Sequence, residues 1–360
     1  MVYASRMRSM LAILAATLGA AACGDDPGGG GVDAPPARRL ELTAAVGADG
    51  LSEELAFAVP DRTRSITVVV AGATDALYAL GALRSPDGTD LVALPTGAIG
   101  PTMSTAYRDE QIGQMPGNLY QSIRLGTFAH VYPYRPGQEA TAGAWSLRVA
   151  ADRAGPVLVT ILMPEDDGGR TLHLNVVVVS DVITVGSPPT FLDEVQGLLA
   201  PAGITVAVDQ VMTLPGTALE RITEGSEPQE APDSMAAMLP ALVATRLSGG
   251  GFDLFVVEGL PPGVAGLSLG TPGPPLRGSY YYGVLVRPAA TDTQTARVIA
   301  HELCHFLALQ HVQNVGISGM TYPDPIDDTT VGTDNLMTSG TTLTAGQAFA
   351  LSRSALLTML

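Results

Sequence analysis

Lysine is missing from this sequence, and all 19 of its basic residues are arginines. The 35 acidic residues outnumber them and give a formal net charge of −16. A chain with this balance has no basic patch with which to neutralise phosphates, which argues against nucleic acid as a partner and against electrostatic docking on anionic lipid. Charged residues are scarce overall, at 15% against 46% hydrophobic residues. These 360 residues therefore predict a globular protein that is long enough for two domains.

The apolar run near the N-terminus, Met10–Ala22, is shorter than the ~20 residues that a membrane-spanning helix needs. Arg6 and Arg8 precede this run as a positively charged region. The pattern predicts a signal peptide over residues 1–22, which is excluded from the prediction of the fold.

Cysteine is rare, and one of the two cysteines follows the apolar run in an Ala-Ala-Ala-Cys-Gly sequence that resembles a bacterial lipoprotein signal. The resemblance implies Cys23 as the lipidated residue, the alternative being a plain secretory signal cut near Ala22. Residues 23–37 would then be the lipidated cysteine and a flexible tether. The expected location is the bacterial cell envelope, with Gly24 favouring the outer membrane, or secretion. Membrane contact is expected only through the lipid anchor, and Cys304 would have no disulfide partner.

Residues 38–170 contain short strand-like runs separated by turns rich in Pro and Gly, without a long amphipathic helical window. This pattern predicts an antiparallel β-sandwich. We interpret it as an accessory domain, while a pro-segment, a substrate-binding module and a spacer are the alternatives. The clearest predicted strands are Leu40–Ala44, Ser65–Val70, Trp145–Val149 and Pro156–Leu162.

The hydrophobic periodicity changes after residue 170, where strand-like runs begin to alternate with helix-like ones. Alternation of this kind predicts a mixed, twisted sheet with right-handed crossovers. The whole chain is therefore expected to be α+β or α/β, with an N-terminal β-sandwich followed by a second domain over residues 171–360. The predicted elements are strands Leu172–Val179, Ile204–Val208, Phe252–Val257 and Tyr281–Val286, helices Pro189–Leu199 and Ser234–Leu247, and a short edge strand within 263–270.

Histidine is also rare, yet three of the five histidines fall within eleven residues. His301 and His305 are four positions apart, so on a helix they lie ~40° apart in projection and ~5.4 Å apart along the axis. Two imidazoles on one helix face can bind a single Zn²⁺ ion. Glu302 lies ~100° round the helix from His301, beside the metal, where a carboxylate can accept a proton from an attacking water. Asp292 or Thr293 is expected to cap this helix.

The third histidine, His311, cannot reach the metal from a continuous helix. It would lie ~15 Å along the axis from His301 and ~80° off its face. The helix is therefore predicted to end after residue 307. Ala308 is the next residue, and an alanine held there with φ > 0 would cost ~1–2 kcal/mol. If His311 does not ligate, the third ligand would be a downstream carboxylate, from Asp324, Asp327 or Asp328.

The pattern His301-Glu302-x-x-His305, followed by His311 and by Met337 in an Asn-Leu-Met segment, resembles the metzincin clan of zinc endopeptidases, and most of all its pappalysin-like branch. The resemblance covers about residues 171–360. It implies a peptidase domain with an active-site helix, a Met-turn and a C-terminal helix. It also implies His301, His305 and His311 as zinc ligands, Glu302 as general base and Met337 as the Met-turn residue.

The resulting expectation is a zinc metalloendopeptidase that hydrolyses peptide bonds in a protein or peptide substrate, through a metal-activated water with Glu302 as base. The alternative is a catalytically weak or inactive cell-surface binding lipoprotein on the same fold. Ala308 at the position of the family's Gly, and Ser339 at that of its Tyr, motivate this alternative. The chain is expected to be a monomer.

Four aspartates lie between the third histidine and Met337, and three of them, Asp324, Asp327 and Asp328, are close together, with Asp334 following. Oxygen-rich loops can bind Ca²⁺, and the related peptidases bind structural calcium. The loop is therefore a candidate calcium site, the alternative being an acidic loop exposed to solvent.

Overall fold

The structure is a computed structural model. It describes residues 38–73, 76, 78–93, 126–179, 188–214, 251–257, 259–260, 263–268, 270–276, 282–315 and 321–358. By contacts, every described residue belongs to one and the same unit of the chain. The predicted signal peptide, Cys23, the tether and the predicted helix Ser234–Leu247 lie outside the described residues. No helix in the described part of the chain is long and apolar enough to cross a membrane.

The described residues of the N-terminal half form eight strands. They are β1 (Arg38–Val46), β2 (Leu55–Val59), β3 (Ile66–Ala71), β4 (Tyr78–Arg84), β5 (Asp90–Ala93), β6 (Thr127–Tyr132), β7 (Gly143–Ala151) and β8 (Gly155–Met163). Two antiparallel sheets result, in the orders β1-β8-β3-β6 and β2-β7-β4-β5. Alternation of side chains is visible in β2, where every second residue is buried.

Both of these sheets contribute to one cluster of buried side chains. Trp145 of β7 is 2% exposed, and its ring lies 6.4 Å from that of Phe57 and 5.6 Å from that of Tyr132. The indole N–H donates to the carbonyl of Thr141 at 2.8 Å, so its polar atom is satisfied inside the cluster. The boundary at residue 170 stays a prediction.

His130 on β6 is a buried titratable group in the N-terminal half. It is 1% exposed, its ring stacks on Phe128, and both ring nitrogens lack a hydrogen-bond partner among the described residues. Burial lowers the pKa of His130 from 6.5 to about 4. The unfolded chain therefore takes up a proton as the pH falls below 6.5, whereas the folded chain does so only near pH 4.

We expect this histidine alone to lower the free energy of unfolding by about 3 kcal/mol between pH 7 and pH 4. Urea unfolding at the two pH values measures the loss, and the His130→Phe variant should lose about 3 kcal/mol less than the parent over the same range. An equal loss in both proteins would contradict the prediction. Carboxylates that titrate in this range affect both proteins alike.

The described residues of the C-terminal half form a third sheet and three α-helices. Its elements are β9 (Thr171–Val179), α1 (Pro188–Leu199), β10 (Thr205–Leu214), β11 (Phe252–Val257), β12 (Gly266–Ser268), β13 (Val284–Val286), α2 (Asp292–Leu307), β14 (Gln313–Val315), β15 (Thr321–Pro323) and α3 (Ala345–Leu351). The sheet order is β10-β9-β11-β13-β12, parallel except for the edge strand β12, which is antiparallel to β13. Strands β14 and β15 pair separately. The chain is thus mixed α+β.

Several sequence predictions differ from the structure in their bounds, and for two of them the structure shows the physical reason. Strand β10 continues to Leu214, beyond the predicted end at Val208, because it pairs with β9 along that strand's full length across a bulge at Val208/Gln210. The N-cap of α2 is Thr291 rather than Asp292 or Thr293, since its extended backbone lets the hydroxyl accept the N–H of Gln294. Asp292 becomes the first helical residue, where a carboxylate favours the helix dipole.

Residues near the C-terminus bind strand-flanking residues of the N-terminal half. Ser65 Oγ donates to the Arg353 carbonyl at 2.6 Å, and the Arg64 guanidinium donates to the Ser354 carbonyl at 3.3 Å and to the Gly169 carbonyl at 3.1 Å. Arg64 is 2% exposed, and burial lowers its pKa to about 10. Carbonyl acceptors here replace part of the water that this buried cation loses.

Candidate metal centre

Three histidines converge where α2 ends. Nε2 of His311 lies 3.2 Å from Nε2 of His301 and 3.1 Å from Nε2 of His305. The three potential ligand atoms all lie within 4.8 Å of one another, and no other group of three or more His, Cys, Asp or Glu ligands is found in the described part of the chain. Two nitrogens that bind one Zn²⁺ ion in tetrahedral geometry are about 3.3 Å apart. The observed separations fit that requirement.

Two of the imidazoles are oriented by backbone carbonyls. Nδ1 of His301 lies 2.6 Å from the Leu336 carbonyl, and Nδ1 of His305 lies 2.7 Å from the Leu309 carbonyl. A carbonyl only accepts hydrogen bonds, so each Nδ1 carries the hydrogen and each Nε2 presents its lone pair. Outer partners of this kind set the tautomer and the ring orientation of a metal-binding histidine.

All three histidines are held in the neutral form that a metal requires. Burial lowers the pKa of His305 well below its usual value, with the neighbouring imidazoles adding to the effect. Burial also lowers the pKa of His301. The pKa of His311 is lowered to about 4, mainly by burial and further by the neighbouring His301. The site therefore offers three lone pairs rather than three positive charges at neutral pH.

The chain turns sharply between the second and third histidines. Helix α2 ends at Leu307, and Ala308 has φ 132°. The N–H groups of Ala308 and Leu309 both donate to the Cys304 carbonyl, at 3.1 and 2.8 Å, which closes the helix. The predicted break after residue 307 and the positive φ at Ala308 are both confirmed. The turn is what returns His311 to the other two histidines.

Met337, the predicted Met-turn residue, is fully buried in the same cluster of side chains as α2. It follows Leu336, whose carbonyl accepts from His301. Asn335 holds this segment, because its side-chain oxygen accepts the Met337 N–H at 2.9 Å and its amide is paired with Gln347 of α3. The C-terminal helix thus supports the backbone that orients the first histidine.

Glu302 is 8% exposed and contacts the edge strand β12. Burial raises the pKa of Glu302 to about 7, and a hydrogen bond from the Ser268 backbone N–H partly opposes that rise. A Cβ atom at Gly266 would lie 2.5 Å from Cγ of Glu302, so only glycine lets the strand approach this closely. The carboxylate is therefore placed between the histidine helix and the sheet edge.

The structure does not bring the three predicted calcium residues together as a ligand group. Asp324 accepts from the Thr329 hydroxyl and the Ile326 N–H, and burial raises its pKa to about 6. Asp328 accepts from the Gly346 N–H at 2.8 Å and from the Thr344 hydroxyl at 2.6 Å, at the start of α3. His311, rather than an aspartate, lies beside His301 and His305. Calcium binding by Asp324, Asp327 and Asp328 stays a prediction.

Some contacts of the site carry no signal in the sequence. The carbonyls of Leu309 and Leu336 are backbone groups, which any residue type would supply. Tyr134, whose hydroxyl donates to the Ala308 carbonyl at 3.0 Å, is separated from it by 174 positions. Cys304, the cysteine of the motif, is free and buried.

No protein-family model matches the chain, and no curated protein matches it either. Solved structures similar to it include metalloproteinase-II from Bacteroides fragilis, at 15% identity and a TM-score of 0.26, over 44% of this chain and 48% of that one. Archaemetzincin from Methanopyrus kandleri matches at 12% identity and a TM-score of 0.28, over 51% and 88% respectively. A zinc-dependent peptidase from Methanocorpusculum labreanum matches at 16% identity and a TM-score of 0.28, over 49% and 99%. The match spans about half the length of the Bacteroides protein, and TM-scores this low do not establish a shared family.

Proposed function

We propose that this chain is a zinc-dependent endopeptidase of the metzincin clan, closest to its pappalysin-like branch. The observation that carries the proposal is the convergence of three Nε2 atoms, two of the three separations being 3.1 and 3.2 Å. Three neutral imidazoles this close match a Zn²⁺ site that keeps a further position open, as catalytic zinc sites do. His301, His305 and His311 would hold the ion.

Zinc at this site would polarise the scissile carbonyl and make water easier to deprotonate. Glu302 is placed one position after the first histidine and outside the ligand group. Its role in the proposal is to accept a proton from the attacking water and to pass it to the leaving amine. The Ser268 N–H and the close packing of Gly266 hold the carboxylate for this transfer.

The substrate in this proposal is an extended segment of a protein or peptide. Strand β12 is at the end of its sheet, so one of its edges has no strand partner among the described residues. An extended peptide can add to such an edge through main-chain hydrogen bonds. Because β12 contacts Glu302 through Gly266, a peptide bound there would pass close to the base.

We place this peptidase in the bacterial cell envelope, anchored through lipid on Cys23 after removal of residues 1–22, and acting as a monomer. The N-terminal sheets would form a β-sandwich domain over residues 38–170, and residues 171–360 the peptidase domain. Glycine at position 24 supports outer-membrane sorting over inner-membrane retention.

The test is a digestion of a diverse peptide pool by residues 24–360, prepared without lipid. The protein is compared with itself after zinc removal by a chelator and after zinc is restored, and the cleavage products are identified by mass spectrometry. We expect internal cleavages that disappear with zinc removal and return with zinc. The His305→Ala variant, purified identically, controls for a contaminating protease.

Cleavages that survive zinc removal, or that the His305→Ala preparation also produces, would overturn the proposal. Tight zinc binding without any cleavage would overturn the endopeptidase and favour the inactive binding lipoprotein instead.

A further inference from the structure

Tyr134 connects the N-terminal sheets to the metal centre. It follows β6 by two residues and is 1% exposed. Its side chain belongs to the buried cluster that contains α2, whereas Tyr132, two positions earlier, belongs to the cluster of the N-terminal sheets. The segment after β6 therefore passes from one core into the other.

The backbone that carries Tyr134 is held by one side chain. Oε1 of Gln138 accepts the N–H of Tyr134 at 3.1 Å and the N–H of Arg135 at 3.0 Å. The hydroxyl of Tyr134 donates to the Ala308 carbonyl at 3.0 Å in a buried environment. Burial raises the pKa of this hydroxyl, so it keeps its proton and acts as a donor.

Its acceptor, Ala308, is the residue with the unfavourable backbone conformation. Ala308 is 2% exposed and has φ 132°, a region that favours glycine. The next carbonyl, that of Leu309, accepts from Nδ1 of His305. The two successive carbonyls of the turn are thus bound by a metal-ligand histidine and by Tyr134, and His311 follows two residues later.

We propose that Tyr134 is a positioning residue for the third ligand: its hydroxyl holds the Ala308 turn in the conformation that returns His311 to the metal. The inference rests on the proposed zinc site. Its physical basis is that the strained turn would relax if the buried carbonyl lost its donor, because an unsatisfied buried carbonyl is costly. On this proposal the segment after β6 contributes to the metal centre, which favours an accessory domain over a removable pro-segment.

The first test is the zinc affinity of Tyr134→Phe, which removes one oxygen and keeps the ring. Competition between the protein and a fluorescent zinc chelator measures the affinity with zinc alone as the probe. We expect binding about tenfold weaker than in the parent, comparable to the loss of an outer-shell partner. Tyr132→Phe is the matched control, since that hydroxyl belongs to the other core, and its zinc affinity should equal that of the parent.

A second substitution separates positioning from general stability. Glycine at 308 adopts positive φ without strain, so in an Ala308→Gly background the turn needs less support. We expect Tyr134→Phe to weaken zinc binding about threefold or less in that background, against about tenfold with alanine at 308. A merely structural role for Tyr134 would give the same factor in both backgrounds.

The outcomes distinguish the two claims. If the parent protein binds no zinc, the proposed function fails. If the parent binds zinc and Tyr134→Phe binds it equally well, or if the factor is unchanged in the Ala308→Gly background, only the positioning role of Tyr134 is overturned.

Discussion

The Glu302→Gln substitution is expected to lower peptide cleavage by about 10²–10⁴-fold while zinc stays bound. The amide cannot accept a proton from water, so the step assigned to Glu302 is lost. Its size matches that of the carboxylate, so the close contact with Gly266 is kept, and its oxygen can still accept the Ser268 N–H. Because Glu302 lies outside the ligand group, the metal should not be affected.

The ratio of kcat/KM for one cleaved peptide, measured alongside zinc content, tests this expectation. Glu194→Gln is the matched control, because it makes the same change at a surface glutamate of α1 that contacts Thr293. Unchanged cleavage by Glu302→Gln would remove this residue from the mechanism. Loss of zinc together with activity would show instead that Glu302 supports the metal.

The His311→Ala substitution is expected to weaken zinc binding by more than the 10–100-fold that loss of an outer-shell partner typically costs. Nε2 of His311 lies 3.2 Å from Nε2 of His301 and 3.1 Å from Nε2 of His305. Removing it leaves a pair of ligands where a catalytic zinc site has three from the protein.

The same chelator competition measures the affinity of His311→Ala. His173→Ala is the control, because His173 is paired with Asp209 at 2.7 Å on strands away from the ligand group. If His311→Ala kept parental affinity, the third ligand would have to be a carboxylate such as Asp324, as the alternative from the sequence holds.

Local geometry explains what could be predicted from the sequence. The spacing of His301 and His305 places them on one helix face, and the position of His311 demands that the helix break before it, whereas the resemblance to the metzincin clan indicates Ala308 as the turning residue, which the structure confirms. The first two inferences need only the dimensions of a helix. Strand β11 could likewise be predicted, because a strand covered on both faces is mostly apolar along its length, and all six residues of β11 are buried.

Contacts between distant segments could not be predicted in this way. The contact between Tyr134 and Ala308 depends on how the sheets and α2 pack in the folded chain. The periodicity of residues within either segment carries no information about this packing. The predicted cap at Asp292 or Thr293 was wrong by one position or two, since the choice among neighbouring capping residues depends on backbone angles. The role of Asp328 as an acceptor at the start of α3 depends on a helix that begins 17 residues later.

The bonds of Arg64 and Ser65 to Ser354 and Arg353 join residues 290 and 288 positions apart. A chain made from its N-terminus cannot form them until Arg353 and Ser354 have been synthesised. Closing so long a loop costs entropy before any contact compensates for it, which slows folding. A nascent chain that ends just after His311 therefore has the three histidines but lacks these bonds, which can form only after the chain has grown past residue 354.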